Sequence, residues 1–273
     1  MSIFEAVILG AVQGITEFLP VSSSGHLVLL QRLFGIAEPV LLFDTMVHGG
    51  TLLAVFAALR RDVGGLLARP VQPLTGFLIL GTLPAAAAGL AGKRYIEGAF
   101  HSGALLGYSF LFTALVLLLC EGLARSASRS DPFAGETERR YQSEMRWFDA
   151  LIIGVFQAAA IMPGVSRSGL TLSGALARRF DRDFAARFSF LLSIPAILGA
   201  LVLQIIDLRP AEAAGAGIVP LLAGTAAAAG VGFFSITLTL ALVRRYSLLP
   251  FAGYVGLLGA LVLLDQHISR FFF

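Results

Sequence analysis

Charge is scarce in this chain. Only 14% of its 273 residues are Asp, Glu, Lys or Arg, against 57% hydrophobic residues, and the mean hydropathy is +0.84. A water-soluble domain carries about 25% charged residues because its surface must stay wet. Soluble, disordered and collagen-like chains are therefore excluded, and a membrane protein remains. Lysine is nearly missing too: Lys93 stands alone among nineteen arginines, and the net charge is +3. These basic residues are scattered between apolar runs, which suits membrane-flanking loops and not nucleic-acid binding. The single cysteine, Cys120, lies in an apolar run, so disulfides within the chain and Cys-based metal centres are excluded. The N-terminus has no basic stretch, and Gln13 and Glu17 interrupt its first apolar residues, so no cleaved signal peptide is expected.

What is there is organised by the uncharged runs: 70–92, 102–120, 188–206, 213–243 and 246–264, of 19 to 31 residues each. About 20 helical residues cross a hydrocarbon core of roughly 30 Å, so each run reads as a transmembrane helix. Residues 41–59 make a sixth, with Asp44 and His48 near one end. Two further regions are interrupted. Residues 6–16 lead into Glu17, Pro20 and Ser22-Ser23-Ser24-Gly25-His26, and residues 150–166 lead into Arg167 and 168–177. Irregular backbone at membrane depth survives only inside protein or beside a watery cavity, so each region reads as a re-entrant helical hairpin.

The hairpins are copies. At an offset of 144, nine of the 22 positions from 4 to 25 are identical, including Gln13 with Gln157 and Val21-Ser22 with Val165-Ser166. Each copy is one hairpin plus three spans, an odd number, so the second enters from the opposite side. The loop arginines agree: fourteen basic residues fall on the side of the 60–69 loop and five on the other. The positive-inside rule makes the richer side cytoplasmic and puts both termini outside. The expected fold is an all-α integral membrane protein with an inverted-topology repeat. It forms one membrane-embedded domain, 1–273, with halves of about 1–123 and 147–273 joined by a polar, solvated loop at 124–146. Inverted repeats place a site at the repeat interface.

The hairpin tips supply the chemistry. Ionisable groups inside a bilayer are costly and functional by default. The first tip brings Glu17, Ser22, Ser23, Ser24 and His26, and the second brings Ser166, Arg167 and Ser168. Half-helix N-termini favour anions, and a guanidinium can hold a phosphate through two parallel hydrogen bonds. A serine beside His or Glu can be activated for attack on phosphorus. The set suits a phosphate ester or anhydride whose greasy part stays in the membrane. Ser-Ser-Ser-Gly also serves as helix capping, and Arg167 can equally pair with Glu17 to lock the hairpins. Asp44 and His48 share a helical face and either line the cavity or lie near its mouth.

Gln13-Gly14-Ile15-Thr16-Glu17-Phe18-Leu19-Pro20-Val21-Ser22-Ser23-Ser24-Gly25-His26 and Pro163-Gly164-Val165-Ser166-Arg167-Ser168-Gly169 resemble the two signature motifs of the bacterial undecaprenyl-diphosphatase family, the bacitracin-resistance type. The resemblance covers essentially the whole chain. It implies removal of the terminal phosphate of undecaprenyl diphosphate at the outer face of the bacterial cytoplasmic membrane, which recycles the lipid carrier for peptidoglycan synthesis. It further implies Glu17, Ser23, His26 and Arg167 as catalytic residues; beside them, the residues themselves offer Gln13, Ser22, Ser24, Ser166, Ser168, Asp44 and His48 as candidates to support the site or bind phosphate. It implies stimulation by a divalent cation, Mg²⁺ or Ca²⁺, with Glu17 as a candidate ligand. The implied partners are a polyprenyl diphosphate lipid and membrane lipids, with a homodimer as candidate assembly. Two positions depart from the pattern: Gln13 stands where some members carry a second Glu, and Val255, in Phe251-Ala252-Gly253-Tyr254-Val255, where many carry a basic residue. The nucleophile stays open among Ser23, His26 and an activated water. An inverted-repeat transporter or flippase of a phosphorylated lipid is the alternative function. A phosphatidic-acid-phosphatase type lacks its Lys-containing motif and His–Asp pair here.

Overall fold

The computed structural model describes residues 1–36, 41–129, 141–207 and 217–271, and every regular element among them is helical. Helices α1 (Ile3–Thr16) and α2 (Ser23–Leu33) form the first hairpin. They are followed by α3 (Leu41–Ala58), α4 (Arg60–Ala68), α5 (Pro73–Ser102) and α6 (Leu106–Arg129). Helices α7 (Trp147–Ala159) and α8 (Arg167–Ala177) form the second hairpin, and α9 (Arg182–Asp207), α10 (Ile218–Arg245) and α11 (Leu249–Leu264) complete the chain.

Five described helices are long and apolar enough to cross a membrane, over Pro73–Phe100, Leu106–Ala124, Arg182–Gln204, Ile218–Arg245 and Leu249–Ile268. Leu42–Ala58 and Arg60–Ala68, bent by 83° at the break between them, are apolar and long enough for a sixth crossing only when taken together. The 14 residues of α1 reach only about 21 Å at 1.5 Å per residue, short of the hydrocarbon core. That shortfall is what makes it a half-helix. Each hairpin starts with an acid at the third helical position returning to the preceding backbone: Glu5 accepts from Ser2 N at 2.6 Å and Asp149 from Arg146 N at 3.0 Å. The first is reciprocal, since Ser2 Oγ accepts from Glu5 N at 3.2 Å, and in both the acid satisfies an N–H group at the start of the helix.

The packing comes in twins. Helix α1 lies on α10 as α7 lies on α5, and α3 lies on α10 as α9 lies on α5. Helix α3 packs on its own counterpart α9, and α6 on its counterpart α11. Close approach at the first pair rests on glycine. A Cβ at Gly10 would overlap the carbonyl of Gly224, and one at Gly154 would overlap that of Gly81. The hairpin of each half thus leans on a helix of the other half.

The two ends of the bundle differ. At one end arginines gather into ion pairs: Arg187 with Asp62 at 2.9 Å, Arg244 with Asp183 at 2.6 Å, Arg182 with Glu121 at 2.8 Å and Arg178 with Asp149 at 2.7 Å. At the other end Arg32 donates to the Ser102 carbonyl, and Gln266 to that of Gly103, each at 2.8 Å. The first hairpin therefore enters from the Arg32 end and the second from the arginine-rich end.

One expectation needs correcting. Helix α6 runs through Arg129 and so occupies the start of the stretch read as a solvated loop. Glu121, at that loop's edge, is buried because Arg182 and the Leu248 N–H need an acceptor inside the bundle. Of the rest of the joining loop, 130–140 lies outside the described residues and 141–146 holds one short turn at Gln142–Glu144; Arg139, Arg140 and Arg209, which entered the loop charge comparison, also lie outside.

Candidate active site

Both breaks are built the same way. Ser22 caps α2 by accepting from Gly25 N at 3.3 Å, and its counterpart Ser166 caps α8 by accepting from Gly169 N at 3.0 Å. The capping oxygen satisfies one of the free N–H groups of the first turn. Ser22 holds φ at 71° to make its turn, a sparsely populated conformation that the surrounding bonds must impose. The two tips then tie to each other: Ser24 Oγ accepts from Gly164 N at 3.3 Å, and Ser168 Oγ donates to the Leu19 carbonyl at 2.9 Å. Gly25 sits where the tips cross, and a Cβ there would stand 2.5 Å from the Phe110 ring and 3.1 Å from Gly164 Cα. Four of the serines named from the sequence are thus engaged in caps and ties, which bring the two half-helix N-termini together.

Glu17 is the hub of what they assemble. It is buried, with 5% of its surface exposed. Its Oε1 accepts from Arg167 Nη2 at 2.6 Å. Its Oε2 accepts from Ser23 Oγ at 2.5 Å and from Gln13 Nε2 at 2.9 Å, with His48 Nε2 at 3.5 Å. A carboxylate this deep needs such partners, since burying a charge unpaired costs several kcal/mol. Yet the cluster is incomplete: Arg167 Nη1 and Gln13 Oε1 are buried with no hydrogen-bond partner. An unpaired guanidinium N–H in a polar cluster is an opening for an anionic oxygen.

His26 stands apart from Glu17. Its Nδ1 lies 2.6 Å from the Ser22 carbonyl and its Nε2 lies 2.7 Å from the Tyr254 hydroxyl. A carbonyl only accepts, so Nδ1 carries a proton and the neutral ring offers Nε2 as acceptor. The ring stacks on Tyr254 at 15° and meets Phe110 edge-on. Asp44 and His48 part company. His48 reaches the Glu17 carboxylate while its Nδ1 bonds the Asp44 carbonyl, whereas the Asp44 carboxylate accepts from Gln31 at 2.6 Å. The structure thus gathers Gln13, Glu17, Ser23, His48 and Arg167 around one carboxylate. Sequence reasoning passed over Tyr254, 228 residues from His26, and Thr113, whose hydroxyl accepts from Ser166 N at 3.0 Å. The signal for Tyr254 was a polar aromatic within an apolar span.

The halves share a scaffold but not this chemistry. At the repeat offset Glu17 faces Ile161 and His26 faces Leu170, which is 1% exposed. At the tips, a carboxylate and an imidazole occur in the first hairpin only.

A divalent cation fits poorly among these residues alone. No group of three or more His, Cys, Asp or Glu that could hold a metal occurs among the described residues. Both oxygens of Glu17 are already taken, one by a guanidinium that would repel a cation. Hard divalent ions want several anionic oxygens, and a neutral glutamine at position 13 withholds one.

A family model described as bacitracin resistance protein BacA matches residues 6–261. The chain is 43% identical over 273 residues to an undecaprenyl-diphosphatase of Carboxydothermus hydrogenoformans, covering 99% of this chain and 100% of that one. It is 41% identical over 271 residues to undecaprenyl-diphosphatase 3 of Bacillus cereus, covering 99% of this chain and 100% of that one. It is 40% identical over 276 residues to an undecaprenyl-diphosphatase of Geobacter metallireducens, covering 97% and 98%.

Proposed function

The chain belongs to the bacitracin resistance protein BacA family, and on that premise we propose that the cluster around Glu17 is where it hydrolyses undecaprenyl diphosphate to undecaprenyl phosphate and phosphate. The protein is a multi-pass membrane enzyme, a phosphatase acting on a lipid diphosphate. The observation that supports this location is Arg167 Nη1, a buried donor with no partner beside a carboxylate–serine pair.

In this reading the terminal phosphate takes the free guanidinium N–H and the α2 and α8 N-termini. These groups neutralise the charge spread over the transferred phosphoryl oxygens, the main catalytic need in such reactions. Ser23 Oγ attacks the terminal phosphorus and passes its proton to Glu17 Oε2, to which it already donates. The bond from phosphorus to the bridging oxygen breaks, and undecaprenyl phosphate leaves with the bonding pair. Water then attacks the phosphoserine, Glu17 returns its proton to Ser23 as that bond breaks, and phosphate is released. Neither ring nitrogen of His26 touches Ser23, so Glu17 serves the first step, and His26 takes up the proton that the water sheds in the second.

The divalent cation, Mg²⁺ or Ca²⁺, arrives on the substrate diphosphate in this reading, because the lipid supplies the anionic oxygens that the chain lacks. The site opens to the outer side of the cytoplasmic membrane, with both termini there, a placement supported by the arginine-rich opposite end. A homodimer remains a proposal for light scattering in detergent. Transport of the lipid is not favoured, because the similar proteins are named as diphosphatases.

The test is phosphate release from undecaprenyl diphosphate by the purified protein in detergent, with Mg²⁺ or Ca²⁺, beside Glu17→Ala and Arg167→Ala. Release by the wild type and its loss in both folded variants is expected. Equal release by either variant would move the site elsewhere.

A further inference from the structure

His26 has no nitrogen to spare. Nδ1 is committed to the Ser22 carbonyl at 2.6 Å and Nε2 to the Tyr254 hydroxyl at 2.7 Å. A proton can therefore enter or leave this ring only through the Tyr254 hydroxyl, or after that bond has broken. A hydroxyl also suits both charge states of the ring. It donates to Nε2 of the neutral imidazole and accepts from Nε2–H of the imidazolium. A carboxylate in its place would bias the imidazolium, and leucine or phenylalanine would serve neither state. The contact is shaped as well as bonded, since the phenol stacks on the imidazole with ring centroids 5.7 Å apart and Phe110 closes another side at 5.7 Å.

We propose that Tyr254 is a proton-relay residue of the hydrolytic half-reaction, which holds His26 in both charge states and passes it the proton shed by the attacking water. This rests on the serine-phosphatase reading of the site given above. The step balances. As water attacks the phosphoserine, its proton moves to the Tyr254 oxygen while the proton already there moves to His26 Nε2. The ring becomes imidazolium and the phenol stays neutral throughout. The P–Oγ bond of the phosphoserine breaks, its electron pair goes to Ser23 Oγ, and Oγ regains the proton held by Glu17. When phosphate leaves, the same path runs backwards and resets the ring. Tyr254 takes no part in the attack by Ser23, whose proton goes to Glu17.

That separation makes the idea testable by more than rate. Tyr254→Phe keeps the stacked ring and removes only the hydroxyl. Steady-state turnover of farnesyl diphosphate should fall by about a hundredfold or more, the range of a lost acid–base contribution, and KM should fall in proportion, so that kcat/KM, which reports phosphoenzyme formation, stays within about twofold of wild type. Rapid quenching with a ³²P-labelled terminal phosphate should then find phosphoenzyme accumulating, because formation continues while its hydrolysis is slowed. The lipid monophosphate should appear in a burst stoichiometric with enzyme. Tyr254→Phe in a His26→Gln background should cost less than twofold more than His26→Gln alone. Wild-type turnover by Tyr254→Phe, or slowed turnover with no trapped phosphoenzyme, would overturn the proposal. Ser23→Ala separates the two layers of the argument. If that variant keeps its activity the serine reading itself fails, whereas if it is dead and Tyr254→Phe is normal only the role of Tyr254 falls.

Discussion

Arginine 167 tests the site most sharply through the conservative change to lysine. The guanidinium does two jobs with separate nitrogens: Nη2 bonds Glu17 at 2.6 Å, and Nη1 is buried without a partner. A lysine ammonium at the same position is one point charge and cannot reach both the carboxylate and a phosphate in that geometry. Arg167→Lys should therefore lose one charge-assisted hydrogen bond to the transferred phosphoryl group. Removing one such donor from a preorganised site costs about 2.7–4 kcal/mol, or about 10²–10³ in kcat. Stability should move much less, because the cation beside Glu17 is retained. Arg167→Ala is different: it leaves Glu17, 5% exposed, without its cation and should cost about 3 kcal/mol or more. The assay is phosphate release at saturating substrate with thermal unfolding in the same detergent. Arg167→Lys that unfolds like wild type yet turns over within about threefold of it would refute the two-nitrogen argument.

Other expectations follow from the same geometry. Ser23→Ala should lower kcat by about 10³ or more if Oγ is the nucleophile, and stopped turnover assays that find a loss below tenfold would return the attack to water. Gly10→Ala and Gly154→Ala should each lower the unfolding temperature, at about 1–3 kcal/mol for an overpacked contact, and a loss in only one would break the twinned packing of α1 on α10 and α7 on α5. Arg178→Ala removes the guanidinium from Asp149, which is fully buried, and chemical denaturation should show a loss of about 2–4 kcal/mol. Calorimetric titration of Mg²⁺ into the protein alone should give no saturable heat, and the same titration with a non-hydrolysable diphosphonate lipid should. Tight binding by the protein alone would restore a resident metal site.

The membrane spans were legible in the sequence because their signal is an absence: charges vanish for about 20 residues, and little else has that length. The hairpins were legible for the opposite reason, since Glu17, His26 and Arg167 sit where an apolar environment makes them expensive. The working partners of the serines were legible only in part. The capping that Ser-Ser-Ser-Gly offers is what Ser22 does at Gly25, and Ser166 repeats it at Gly169, but nothing local tells that Ser24 reaches Gly164 or that Ser168 reaches Leu19. Tyr254 was missed because its partner lies in the other half of the chain, and one aromatic in a span usually means packing. The stretch 60–69 was read as a loop, yet Arg60–Ala68 is helix α4 after an 83° turn, because a bend between two helices leaves no periodic trace.

Because Ile161 and Leu170 stand where Glu17 and His26 stand in the first half, the molecule has a top and a bottom that cannot be exchanged. A membrane protein with two equal halves would work whichever way the insertion machinery threaded it. This one, inserted upside down, would present its reactive groups to the wrong compartment and a greasy plug to the right one. The arginine bias between its loops is then part of the enzyme's address for its substrate, as necessary to turnover as the serine proposed to receive the phosphate.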